Sequence, residues 1–81
     1  MDKELEKYYN NFFEMFRTEG WKQLLEEVEN NVEQTNNLEI TKDEQDLYFR
    51  KGQLVVMNNI INLETQVAHA REQAELDDAQ D

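Results

Sequence analysis

Leu5, Tyr8, Tyr9, Phe12, Phe13 and Phe16 recur at spacings of three and four, which predicts one unusually aromatic face of a helix over about 2–17. Trp21, Leu24, Leu25, Val28 and Val32 repeat the same spacing. A helix carried straight through from the first set would put this second set on roughly the opposite side. The jump in phase predicts a break at Thr18-Glu19-Gly20, where the threonine caps the second helix and the glycine absorbs unusual backbone angles. Helix 2 is expected over about 19–36.

Asn36-Asn37-Leu38-Glu39-Ile40 reads as a connector, because asparagine favours turns and the periodicity stops there; Leu38 and Ile40 are expected to tuck inward. Thr41-Lys42-Asp43-Glu44 matches a capping box, with the threonine hydroxyl accepting from the third amide and the glutamate reaching back. From it a third helix is expected over about 42–75, some 50 Å long at 1.5 Å per residue. At 100° per residue, Phe49, Val56, Ile60, Leu63, Val67, Ala70 and Ala74 fall on one heptad-like line of this helix. Leu47, Leu54, Ile61 and Ala68 form a second line well round from the first, with Met57 at its edge. Two faces of helix 3 are thus apolar.

Helix 2 covers one face, and over about 27 Å only. The other cover is helix 1 folding back, so that Phe12, Phe13 and Phe16 meet the second line, or a second helix from another chain along Ile60, Leu63, Val67 and Ala70; both can hold at once. The expected fold class is therefore all-α, a helical hairpin or three-helix arrangement with one long C-terminal helix, completed by homo-oligomerisation. One domain is expected over residues 1–75, followed by an acidic tail over 76–81; from Glu72 onward fraying is expected, because five acids and no base oppose the helix dipole. Gly52 inside helix 3 predicts a close helix crossing rather than a hinge, since both lines keep their phase across it.

Composition narrows the function classes. Cysteine is absent from the 81 residues, which removes disulfides and thiolate metal sites and suits a reducing compartment. Nineteen acidic residues against eight basic ones give a formal charge of −11, so bare phosphate backbone is repelled and no direct nucleic-acid binding is expected. No apolar run reaches membrane-spanning length, and Met1-Asp2-Lys3-Glu4 has no signal-peptide character, so no membrane partner is expected. Serine is missing and His69 is the only histidine. With no nucleophile elbow, no phosphate loop, no second histidine and Gln66 at the place three residues before His69 where a carboxylate site wants glutamate, no catalytic, cofactor or metal site is expected and the chain reads as a non-enzyme.

Glu26, Glu27, Glu29 and Glu33 crowd the outer face of helix 2, and Asp43, Glu44 and Asp46 follow across the connector, with only Lys42 opposing them. A solvated helix face accounts for such a run; a DNA-mimicking surface for the basic cleft of a host nucleic-acid-binding protein is the functional alternative. Asn58, Asn59 and Asn62 are read either as register-setting groups toward a partner helix or as solvated surface.

Thr18-Glu19-Gly20-Trp21-Lys22-Gln23-Leu24 and Asp46-Leu47-Tyr48-Phe49-Arg50-Lys51-Gly52-Gln53-Leu54 resemble small acidic proteins encoded by tailed bacteriophages, the short-tailed ones especially, over about residues 10–70. Two short motifs carry the likeness, and no catalytic or ligand residue comes with it. It implies a viral setting, in the host cytoplasm or the virion, where such proteins assemble particles, act as adaptors or inhibit host machinery. The expected function is a protein–protein interaction protein that self-associates through helix 3, with Phe49, Val56, Ile60, Leu63, Val67 and Ala70 at the interface and a phage or host protein as further partner.

Overall fold

The computed structural model describes residues 1–80 and is all-α, with α1 (Lys3–Phe16), α2 (Glu19–Thr35), a 3₁₀ turn at Leu38–Ile40, α3 (Glu44–Ile61) and α4 (Leu63–Gln80). No strand occurs among the described residues. Where the pattern predicts one domain over 1–75, the contacts sort into two compact units. Unit one joins Met1–Lys22 to the chain from Asn62 onward, and unit two is Gln23–Ile61.

In unit one, the Asp2 carboxylate accepts from the Leu5 N–H at 2.7 Å and opens α1. Thr18 closes α1 and opens α2: its hydroxyl donates to the Met15 carbonyl at 2.7 Å and accepts from the Trp21 N–H at 3.1 Å. The break therefore stands where the phase jump puts it, but Gly20 is not its cause, since no described residue has left-handed backbone. The threonine alone satisfies both helix ends. The aromatic face then stacks: Phe12 on Phe16 with ring centres 6.0 Å apart, and Phe16 on Trp21 at 5.1 Å. Trp21, only 6% exposed, donates its indole N–H to Glu64 Oε1 at 2.5 Å.

The Met1 ammonium pairs with Asp78, and the Arg71 guanidinium lies 5.4 Å from the centre of the Phe13 ring. The start of α1 thus meets the end of α4, so the two helices run antiparallel. Of the line Leu47, Leu54, Ile61 and Ala68, expected to receive the helix 1 aromatics, Ala68 borders the cleft formed by Phe13 and Phe16; the other three belong to unit two. Over the acidic tail α4 continues to Gln80, and Asp81 lies outside the described residues. A positive charge beside Asp78 offsets the unfavourable meeting of acids with the negative end of the helix. The same contact raises the amino terminus above its ordinary 8.0.

In unit two, Asn37 accepts from the Glu39 N–H at 3.0 Å and fixes the 3₁₀ turn, while the Thr41 hydroxyl donates to the Asn37 carbonyl at 2.8 Å. The turn points Leu38 and Ile40 outward, at 78% and 52% exposure, against the expectation that both tuck in. Thr41, committed to Asn37, does not cap α3. Asp43 does so by accepting from the Asp46 N–H at 2.8 Å, and Asp46 reaches back to the Lys42 N–H at 2.9 Å. The capping box expected at Thr41 and Glu44 does not form: Asp43 is the N-cap, the return bond runs to the Lys42 N–H instead of the cap's own, and α3 begins at Glu44.

The single helix expected over 42–75 is interrupted at Asn62, whose carbonyl accepts from the Gln66 N–H at 3.0 Å to open α4. Asn58, Asn59 and Asn62 form a run of poor helix formers whose side chains compete for backbone hydrogen bonds. Gly52 leaves α3 unbroken.

Burial in both units is sparse. Tyr9, Trp21 and Val67 are buried in unit one and Val28 in unit two, and no described side chain is fully enclosed. Trp21 should therefore dominate unit one. Trp21→Phe, which deletes the bond to Glu64 and leaves a gap beside Phe16, is expected to lower stability by about 1–3 kcal/mol in urea unfolding.

Candidate interaction surface on α3

At 100° per residue, Leu47, Arg50, Leu54, Met57 and Ile61 share one side of α3, and all five are partly buried. The opposite side is open: Tyr48, Phe49, Val55 and Val56 are 61%, 66%, 60% and 59% exposed. Gly52 lies at the middle of this open arc, with Lys51 at its rim, the ammonium 5.9 Å from the centre of the Tyr48 ring. A Cβ added at Gly52 would meet nothing within 4 Å. The close helix crossing expected at Gly52 is thus not made by this chain; the glycine opens a shallow notch in an uncovered apolar face.

Polar contacts hold the covered side. Arg50 donates from Nε to Asp46 Oδ2 at 3.1 Å and from Nη1 to the Thr35 carbonyl at 3.1 Å, tying α3 to the end of α2 within unit two. Asp46 accepts from both the Lys42 N–H and Arg50, and these bonds, the backbone one first, hold its carboxyl below the ordinary 3.8. Asp46 is therefore a structural carboxylate and leaves the acidic surface to which its sequence position assigns it. The remaining members, Glu26, Glu27, Glu29, Glu33, Asp43 and Glu44, are exposed. Among the described residues none of the four on α2 pairs with a cation.

The six residues expected to form one interface are divided by the interruption at Asn62. Phe49, Val56 and Ile60 stand on α3 in unit two, while Leu63, Val67 and Ala70 stand on α4 in unit one. Phe49 and Val56 are exposed, Ile60 and Leu63 half-buried and Ala70 exposed. Val67, at 8% exposure, is buried within unit one. The line was drawn through one continuous helix, whereas α3 ends at Ile61 and α4 begins at Leu63. Tyr48 and Val55, absent from that expected set, belong to the open face. Their spacing with Gly52, at i, i+4 and i+7, was the available signal.

Chemistry is sparse elsewhere. A cleft of about 560 Å³ in unit one is bordered by Asn10, Phe13, Glu14, Arg17, Glu64 and Arg71, where two cations balance two carboxylates. His69 is exposed. Among the described residues no group of His, Asp or Glu is placed to hold a metal, and no helix is long and apolar enough to cross a membrane. Comparison with models of known protein families, with curated proteins and with solved structures finds no match to this chain.

Two measurements follow from this geometry. Gly52→Ala adds a side chain that meets no neighbour and removes the glycine penalty, so it should stabilise the isolated chain by about 0.5–1 kcal/mol in thermal unfolding at low concentration. Asp46 has a depressed carboxyl, so its contribution is present above the ordinary 3.8 and lost as pH falls through its lower folded value. Asp46→Asn should lower the melting temperature at neutral pH, and the difference from the unaltered protein should shrink on acidification below that point. A constant difference across the acid limb would remove the charged role.

Proposed function

We propose that this chain is a non-enzymatic interaction protein that binds through the open face of α3, associating with its own kind and with a protein of a viral assembly or its host. The observation that carries the reading is the row Tyr48, Phe49, Val55 and Val56, large apolar side chains left exposed together on one side of one helix. Scattered exposed apolar residues are ordinary, but a contiguous patch bounded by polar groups favours a protein partner. The absence of serine and cysteine from the sequence and the exposure of the single histidine support a mode of action without a chemical step. The viral setting rests on the resemblance of residues 18–24 and 46–54 to small acidic phage proteins.

A second reading has its own support. Glu26, Glu29 and Glu33 form an acidic stripe on α2 with no cation paired to it among the described residues, of the kind that occupies a basic nucleic-acid-binding site on a host protein. The two readings separate in a capture experiment followed by mass spectrometry. Phe49→Asp with Val56→Asp should abolish capture and leave helicity intact if the apolar face is the binding surface. Glu26→Gln, Glu29→Gln and Glu33→Gln together should abolish it, and rising salt should weaken it, if the acidic stripe is. Capture that survives both sets of changes defeats both readings.

A further inference from the structure

The open face of α3 has an internal order that identifies its occupant. Gly52 is flanked by Tyr48 and Phe49 four and three residues before it, and by Val55 and Val56 three and four residues after it. Gln45 and Asn59 close the face seven residues to either side. On a helical projection centred on Gly52 all six fall within about 60° of one line. We propose that two copies of this chain cross antiparallel at this face, with Gly52 on the two-fold axis. This rests on the reading of the face as a binding surface and names its partner and register.

Three observations select a second copy. In an antiparallel pair each residue faces the position equally far beyond Gly52, so Tyr48 of one copy faces Val56 of the other, and Phe49 faces Val55. Large side chains then meet small ones at every step, whereas a parallel pair sets aromatic on aromatic at one end and valine on valine at the other. Gln45 faces Asn59, two amides that donate and accept to each other. Such a match of one surface to itself is what a two-fold interface requires.

The glycine supplies the second argument. A notch with nothing within 4 Å of its Cβ position admits a facing backbone, and on the axis it meets another notch. Charge supplies the third. Residues 47–63 contain Arg50 and Lys51 and no acid, the longest acid-free stretch of a chain with nineteen acids. Two copies each carrying −11 approach with least repulsion along this segment.

The area sets the strength. Two aromatic and two valine side chains exposed to this degree offer roughly 400 Å² per copy, and a symmetric pairing removes about 800 Å² in all, below the area of stable interfaces and in the range of weak, transient ones. A weak, reversible dimer follows, tightened by added salt because the copies repel. The salt response is opposite in sign to that of the acidic stripe on a basic partner.

Single-cysteine variants test the register, because the chain has no cysteine of its own. Gly52→Cys should give a covalent dimer under mild oxidation at high micromolar concentration, its two Cα atoms lying within the roughly 7 Å a disulfide spans. Gln45→Cys and Asn59→Cys should each stay uncrosslinked alone, since like positions stand about 21 Å apart along the axis, and should cross-link when mixed. Circular dichroism confirms that each variant is folded. Gly52→Leu should weaken dimerisation at least tenfold in sedimentation without loss of helix. Self-linking of Gln45→Cys, or a Gly52→Cys protein that stays uncrosslinked, overturns the antiparallel crossing. If that happens while Phe49→Asp with Val56→Asp still abolishes capture, the crossing falls and the interaction reading stands; if those substitutions also leave capture untouched, the reading falls with it.

Discussion

A helix with apolar side chains around most of its circumference needs neighbours on more than one side, and α3 is such a helix. Unit two holds Leu47, Leu54, Met57 and Ile61 partly out of water and leaves Tyr48, Phe49, Val55 and Val56 in it. The asymmetry follows from supply. In 81 residues with a third of them charged, the apolar surface available to cover a helix is small, and a chain of this size buries a modest core at best. No described side chain is fully enclosed, so what stability there is comes from partial burial spread over many residues.

With so little buried area, polar contacts decide where each helix starts and stops. Proline is absent and neither glycine breaks a helix. The punctuation comes from Asp2, Thr18, Asn37 and Asp43, each using a side-chain oxygen to satisfy an amide that has no partner within the helix. Two longer links carry tertiary information: Trp21 to Glu64 in unit one, and Arg50 to the Thr35 carbonyl in unit two. Each anchors one helix end to a residue distant in sequence, which apolar periodicity alone cannot specify.

That division explains what could be read from the chain beforehand. The helical class was legible because spacings of three and four persist from Leu5 to Val32, and the break at Thr18 because the phase jumps there. Asn62 was not, since the apolar spacing runs on through Ile60, Leu63 and Val67 while the backbone does not. Thr41 and Asp43 both stand three residues before an acid, and only the hydrogen bond from Thr41 to Asn37 decides between them. Leu38 and Ile40 are apolar but sit in a tight turn whose geometry, set by Asn37, overrides their preference for burial. Of the open face, Phe49 and Val56 were found by periodicity. Tyr48 and Val55 were passed over because the line was fitted to a helix twice as long as α3.

The indole at Trp21 is the molecule's only one, and it lies in unit one beside a carboxylate. Its emission is consequently a local gauge, responding first to the loosening of α1 from α4 around the indole. Helical ellipticity, by contrast, averages over the whole chain. If the two signals melt together, the chain behaves as one cooperative body despite its two sets of contacts; if they part, the gap measures how independently the units come undone.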